Sequence, residues 1–124
     1  MITKHLLFVY GTLRSGHSNH HLLKDADCYG IGHSVENYAM YLTSGYPYVT
    51  SHESRYPIAG ELFGIDDSTL SMLDKMEGHP RYYERKEVTV TVGDTQYTAW
   101  MYFKDPAGVL MQDGDYSKMP YGKA

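Results

Sequence analysis

What the chain lacks narrows it first. It has a single cysteine, Cys28, so no internal disulfide forms, and that usage suits a reducing compartment. No apolar run approaches the length that spans a bilayer, and Met1-Ile2-Thr3-Lys4 leads into a strand-like segment instead of a signal sequence. The expectation is a soluble cytoplasmic protein with no membrane partner. Positive charge is not in excess: the formal net charge is −4, which argues against nucleic acid as the main partner. Three motifs that announce chemistry are missing, namely the Gly-x-Ser-x-Gly elbow, the Gly-Lys-Ser/Thr phosphate loop and the dinucleotide-binding glycine fingerprint. Cys28, within Asp27-Cys28-Tyr29, carries no local nucleophile motif.

What remains is a chain of 124 residues, read as one domain over 1–124 with a single core of ordinary size. Its thirteen tyrosines suit wet β-surfaces and pockets with polar tips, and do not by themselves name a ligand. No internal repeat or interdomain linker is evident.

Several elements follow from pattern. The apolar run His5 to Tyr10 reads as a buried strand that stops at Gly11. Ser18 or Asn19 caps a short helix with Leu22 and Leu23 turned inward. Cys28 to Thr43 reads as one or two strands with a bend or bulge, Gly45-Tyr46-Pro47 as a turn, Tyr48-Val49 as a short strand and Ser51 to Tyr56 as loop. Pro57 to Ile65 is a further strand. Asp66-Asp67-Ser68 starts a helix over Thr69 to Met76, with Leu70, Leu73 and Met76 along one core-facing stripe, and Gly78 and Pro80 end it. Tyr83 to Val92 and Thr95 to Phe103 alternate around a Gly93-Asp94 hairpin turn. From about residue 108 the tail has no periodicity and reads as a flexible or lid segment. The fold class is α+β: a small, mixed but mostly antiparallel, barrel-like sheet with short flanking helices.

Four places could carry chemistry. The Phe8-to-Gly16 stretch ends a strand in Gly-Thr, leaving backbone N–H groups without ladder partners. Either it cradles a small anion, or it is an ordinary strand-to-helix turn. Glu77 lies at a helix C-terminus, where the helix dipole and a dry site would both raise its pKa toward general acid/base use; the bland alternative is a surface glutamate at a frayed end. His17, His20 and His21 invite a metal, but no third ligand has a recognisable spacing, so no metal is expected; His79 beside Glu77 is a second proton carrier or simply a solvated loop residue. Glu61 interrupts an apolar strand, and its ordinary place is solvent-facing.

Taken together, Val9-Tyr10-Gly11-Thr12-Leu13-Arg14, Gly16 to His20, Gly60-Glu61-Leu62-Phe63 and Leu73-Asp74-x-x-Glu77-Gly78-x-Pro80-x-x-Tyr83-x-Arg85 resemble the gamma-glutamylcyclotransferase-like family. The nearest branch is the gamma-glutamylamine cyclotransferases and their bacterial relatives, and the resemblance runs from Leu7 to Tyr116. It implies a small β-barrel with a cavity at one end. It implies further that the Tyr10, Gly11, Thr12 and Leu13 loop binds the anionic end of the substrate, that Glu77 is the catalytic acid/base and that Tyr83 lines the site and donates a hydrogen bond. Tyr46 and Tyr116 are additional candidates, the latter in a closing segment Gly114-Asp115-Tyr116. Arg14 either meets an anionic group or is simply exposed. The implied reaction converts a gamma-glutamyl amine or amino compound into 5-oxoproline and a free amine, without metal or cofactor. A catalytically silent small-anion-binding domain is the rival. The leaving amine, and whether the chain is a monomer or a homodimer, are left open.

Overall fold

The computed structural model describes residues 3–16, 19–43, 46–106 and 108–116. Their strands are β1 (His5–Val9), β2 (Asp27–Ser34), β3 (Ala39–Thr43), β4 (Tyr46–Thr50), β5 (Ala59–Ile65), β6 (Glu84–Val92), β7 (Thr95–Phe103) and β8 (Val109–Leu110). One helix, α1 (Asp67–Glu77), and a 3-10 turn at His20–Leu23 complete the set.

β1 and β5 are nearly continuous apolar runs because both of their faces are covered. Phe8 and Leu62 point into one core with Val88, Val90, Ala99 and Met101. Their neighbours Leu7, Val9, Phe63 and Ile65 point the other way, onto Leu70 and Leu73 of α1. β6 and β7 alternate cleanly over the stretch facing that first core, with Val88, Val90, Ala99 and Met101 buried.

The barrel closes in the order β1-β5-β2-β6-β7. Its pairs are antiparallel except at the seam, where β1 runs parallel to β7 with Leu7 opposite Trp100. A three-stranded sheet, β4-β3-β8, adds Met40 and Val49 to the barrel core. The fold is thus the mixed, mostly antiparallel barrel with a flanking helix that the sequence implied.

α1 begins as its sequence dictates. Asp66 is the N-cap and accepts from the Thr69 N–H at 2.8 Å. It ends at Gly78, whose φ of 71° is left-handed and suits a glycine. The helix runs one residue past the expected Met76, so Glu77 lies on its last turn. Leu70 and Leu73 are buried as expected, but Met76 is 44% exposed and belongs to a cavity wall instead of the core.

Cys28 to Thr43 forms two strands with a bulge, as expected: β2 and β3 lie in different sheets, with a register shift between Cys28 and Gly30. Other local expectations are corrected. Tyr46 and Pro47 are not turn residues: they pair in β4 with Thr43 and Leu42, while Gly45 lies outside the described residues. Asn19 does not cap its turn by a side-chain hydrogen bond; its amide donates to Thr12 Oγ1 at 2.9 Å, and Ser18 lies outside the described residues. The segment from residue 108 is no loose lid over its described part. β8 pairs with β3, and Met111 and Tyr116 are buried in the barrel core; residues 117–124 lie outside the description. Among the described residues no helix is long and apolar enough to cross a membrane.

Candidate active site

Strand register gathers one rim of the barrel. β1 and β7 are parallel with Leu7 opposite Trp100, so both strands end at the same rim, where Gly11 and Lys104 line one cavity. β6 is antiparallel to β7 with Glu84 opposite Phe103, which puts Tyr83, one residue earlier, beside the same Lys104. The last turn of α1 brings Glu77 to this rim, and the Glu77 carbonyl accepts the Tyr83 N–H at 3.2 Å. A cavity of about 280 Å³ opens there.

Tyr10, Gly11, Thr12, Leu13, Tyr46, Glu77 and Tyr83 all line it. No hydrogen bond from the Gly11, Thr12 or Leu13 N–H groups is found among the described residues. The loop is held by other bonds: Arg14 N–H donates to the Gly11 carbonyl at 3.0 Å, and Asn19 N–H to the Thr12 carbonyl at 2.8 Å. Gly11 has a specific steric reason, since a Cβ there would lie 2.8 Å from Pro47 Cγ.

Behind the loop is a charged anchor that corrects two expectations. Glu61 does not face solvent. It is 6% exposed and accepts from Ser15 N–H at 2.6 Å and Ser15 Oγ at 2.9 Å. Arg14 is equally buried instead of exposed; its Nη1 meets Asp115 at 3.1 Å and its Nε approaches Glu61 at 3.9 Å. Arg14 is thereby engaged in the fold and is not among the cavity-lining residues. Nor is Tyr116, a core residue at 3% exposure.

The cavity is electrostatically asymmetric. Burial pushes the Glu77 carboxyl from its ordinary 4.5 up to about 7, against the opposing pull of the Lys104 ammonium. The Tyr83 hydroxyl is pushed far up, first by burial and then by Glu77 and Tyr48, so it stays a proton donor at any ordinary pH. Tyr10 is raised for the same first reason, and its hydroxyl donates to the Tyr102 carbonyl at 2.9 Å. Tyr102 in turn donates to Asp74 Oδ1 at 2.8 Å, and Asp74 takes Arg85 Nε at 2.9 and 3.1 Å. This chain fixes the floor of the site from the helix side.

Sequence reasoning missed Lys104, Tyr48 and Tyr102. The signal that would have found Lys104 is its position just past β7, but only with the parallel β1–β7 register in hand. The histidines fall elsewhere. His20 Nδ1 lies 3.0 Å from the Leu13 carbonyl and its ring packs on Phe63, while His79 Nδ1 accepts the Arg85 N–H at 3.2 Å. His17 lies outside the described residues, and no cluster of three or more potential metal ligands forms among those described.

Comparison with known proteins decides the family. A family model described as gamma-glutamyl cyclotransferase, AIG2-like, matches residues 7–118. The chain belongs to that family. A relative from Methanocaldococcus jannaschii, provisionally named a gamma-glutamylcyclotransferase, is 42% identical over 113 residues, covering 89% of this chain and 93% of its own. The gamma-glutamylcyclotransferase family protein YtfP of Escherichia coli is 31% identical over 113 residues, covering 89% and 94%. Among solved structures, an AIG2-like protein from Mus musculus superposes with a TM-score of 0.83 at 25% identity, over 96% of this chain and 94% of that one. The family membership makes gamma-glutamyl cyclotransferase-like activity the frame for this rim, and the side chains around the cavity supply the detail.

Proposed function

We propose that the protein is a cyclotransferase that converts a gamma-glutamyl amine or amino compound into 5-oxoproline and the free amine. The observation that carries the reading is Glu77, a carboxyl poised near 7, opening onto the same small cavity as three loop amides that have no hydrogen-bond partner among the described residues. At about 280 Å³ the cavity suits a small molecule.

A gamma-glutamyl compound carries its own nucleophile. Its α-amine attacks the γ-carbonyl carbon, a new C–N bond closes a five-membered lactam, and the C–N bond to the leaving amine breaks. Folding of the substrate supplies the proximity, so no protein nucleophile is required. Three tasks remain. The Gly11, Thr12 and Leu13 N–H groups hold the α-carboxylate and aim the amine. Tyr83, a donor that stays protonated, stabilises the developing oxyanion. Glu77 accepts a proton from the α-ammonium and returns it to the departing nitrogen, a double duty that favours a pKa near neutrality.

The test is 5-oxoproline release from a panel of gamma-glutamyl amines, gamma-glutamyl amino acids and glutathione by the wild type and Glu77→Gln. Turnover of a panel member that falls by about a hundredfold or more in the variant supports the reading. Equal activity removes Glu77 from the mechanism. Binding of 5-oxoproline without turnover of any panel member points instead to a silent anion-binding domain.

A further inference from the structure

The Lys104 side chain is not needed for the chemistry above, yet it enters the site. Its ammonium lies 4.3 Å from the centroid of the Tyr48 ring and 5.6 Å from that of Tyr83, both cavity-lining residues. The rings fix the cation in place while leaving its hydrogen-bond donors for another group. Its backbone is held independently, with the Lys104 N–H donating to the Val49 carbonyl at 2.9 Å. Lys104 is also a shared wall. A second cleft, of about 290 Å³, also has Lys104 in its lining, with polar and charged groups of both signs including Ser51, Arg81, Lys86, Glu84 and Asp105.

Resting on the cyclotransferase reading, we propose that Lys104 is a specificity residue that binds a carboxylate on the leaving amine, so that gamma-glutamyl amino acids are favoured over gamma-glutamyl derivatives of uncharged amines. The α-carboxylate of the gamma-glutamyl group is taken up by the Gly11–Leu13 amides. The leaving group then points out of the first cavity past Lys104, and its side chain extends into the second cleft. A neutral alkylamine would leave the ammonium facing an apolar group, without the charge-assisted hydrogen bond that a carboxylate provides.

The experiment compares gamma-glutamyl-alanine with gamma-glutamyl-ethylamide, which share the gamma-glutamyl half and differ in the leaving-group carboxylate. The readout is the ratio of their kcat/KM values for wild type, Lys104→Met and Lys104→Arg. Removing the cation also perturbs Glu77, but that effect is common to both substrates and cancels in the ratio. Loss of one charge-assisted contact lowers the ratio about ten- to a hundredfold in Lys104→Met, with Lys104→Arg recovering part of it. An unchanged ratio overturns the proposal, and an equal drop for both compounds assigns Lys104 to the common α-carboxylate or to Glu77 instead. If wild type turns over neither, calorimetric binding of the two compounds gives the same ratio: a carboxylate preference that Lys104→Met abolishes upholds the Lys104 assignment while the cyclotransferase reading falls. Binding of neither compound overturns both.

Discussion

Glu77→Gln is expected to inactivate the protein and, at alkaline pH, to stabilise it. Burial holds the native carboxyl at about 7, whereas in the unfolded chain it titrates near its ordinary 4.5. Below the unfolded value both states are protonated and the residue contributes nothing. Between the two values the unfolded chain releases a proton that the native state keeps, so native stability falls as pH rises, and the loss is complete above the folded value. For a shift of this size the full penalty is about 3 kcal/mol. Part of it is already present at about pH 5, so the gap between variant and wild type should widen by up to about 2.5 kcal/mol by about pH 8.5. For a domain of this size that is a difference of about 10 °C in melting temperature. Glutamine keeps the shape and removes the charge, so melts of both proteins across this range isolate the titration. A gap that stays flat with pH would refute the claim that Glu77 is desolvated. The same ionisation governs turnover: if Glu77 is the base, kcat/KM rises about tenfold per pH unit up to about 7 and then levels.

Three further outcomes are expected. Gly11→Ala drives a Cβ to 2.8 Å from Pro47 Cγ, so the loop shifts; a stability loss of about 1–3 kcal/mol with weaker 5-oxoproline binding is expected, and unchanged binding by calorimetry would show that the loop amides do not hold the ligand. Arg14→Met strands Asp115 and Glu61 without their buried cation, which should lower stability in denaturant titrations by about 3 kcal/mol or more; a change below about 0.5 kcal/mol would mark the network as ornamental. Asp74→Asn removes a carboxylate whose pKa burial tends to raise but Arg85 and Tyr102 pull down further. Its stabilisation is present above the unfolded value of about 3.8 and lost as pH falls through the lower folded value, so the variant should be about 1–3 kcal/mol less stable near neutrality and approach wild type in acid melts.

Legibility in the sequence tracked how local each cause is. The Asp66 cap, the Gly78 stop and the Gly93-Asp94 hairpin are settled within a few residues, and each stands where its chemistry put it. The burial of Glu61 and Arg14 was not legible because their partners lie far along the chain. Glu61 meets Ser15 across 46 positions, and Arg14 meets Asp115 across 101. A charged residue in an apolar strand is ordinarily placed facing water, and nothing in its neighbourhood announces a partner that distant. Lys104 was missed for a topological reason: it shares a cavity with the Gly11 loop only once β1 is known to run parallel to β7. Of the barrel's pairings only β6–β7 is announced by a hairpin signal, and this one is not.

The rim also explains why one motif offers two carboxylates of which only Glu77 is poised to move protons. Asp74 and Glu77 are three residues apart, hence neighbours on one helix face. Both are partly removed from water, which by itself raises either pKa. Asp74 faces Arg85 and the Tyr102 hydroxyl, both donors to it, and these outweigh its burial; it stays ionised and spends its charge holding β6 and β7 against the helix. Glu77 is the more deeply buried of the two and has only the attraction of Lys104 to set against desolvation, and it rises to about 7. Environments that drive two neighbouring carboxyls in opposite directions separate a structural anion from a proton carrier. Under the proposed cyclisation, whose nucleophile belongs to the substrate, one such carrier suffices, and Glu77 is the carboxyl of the cavity lining that fits that part.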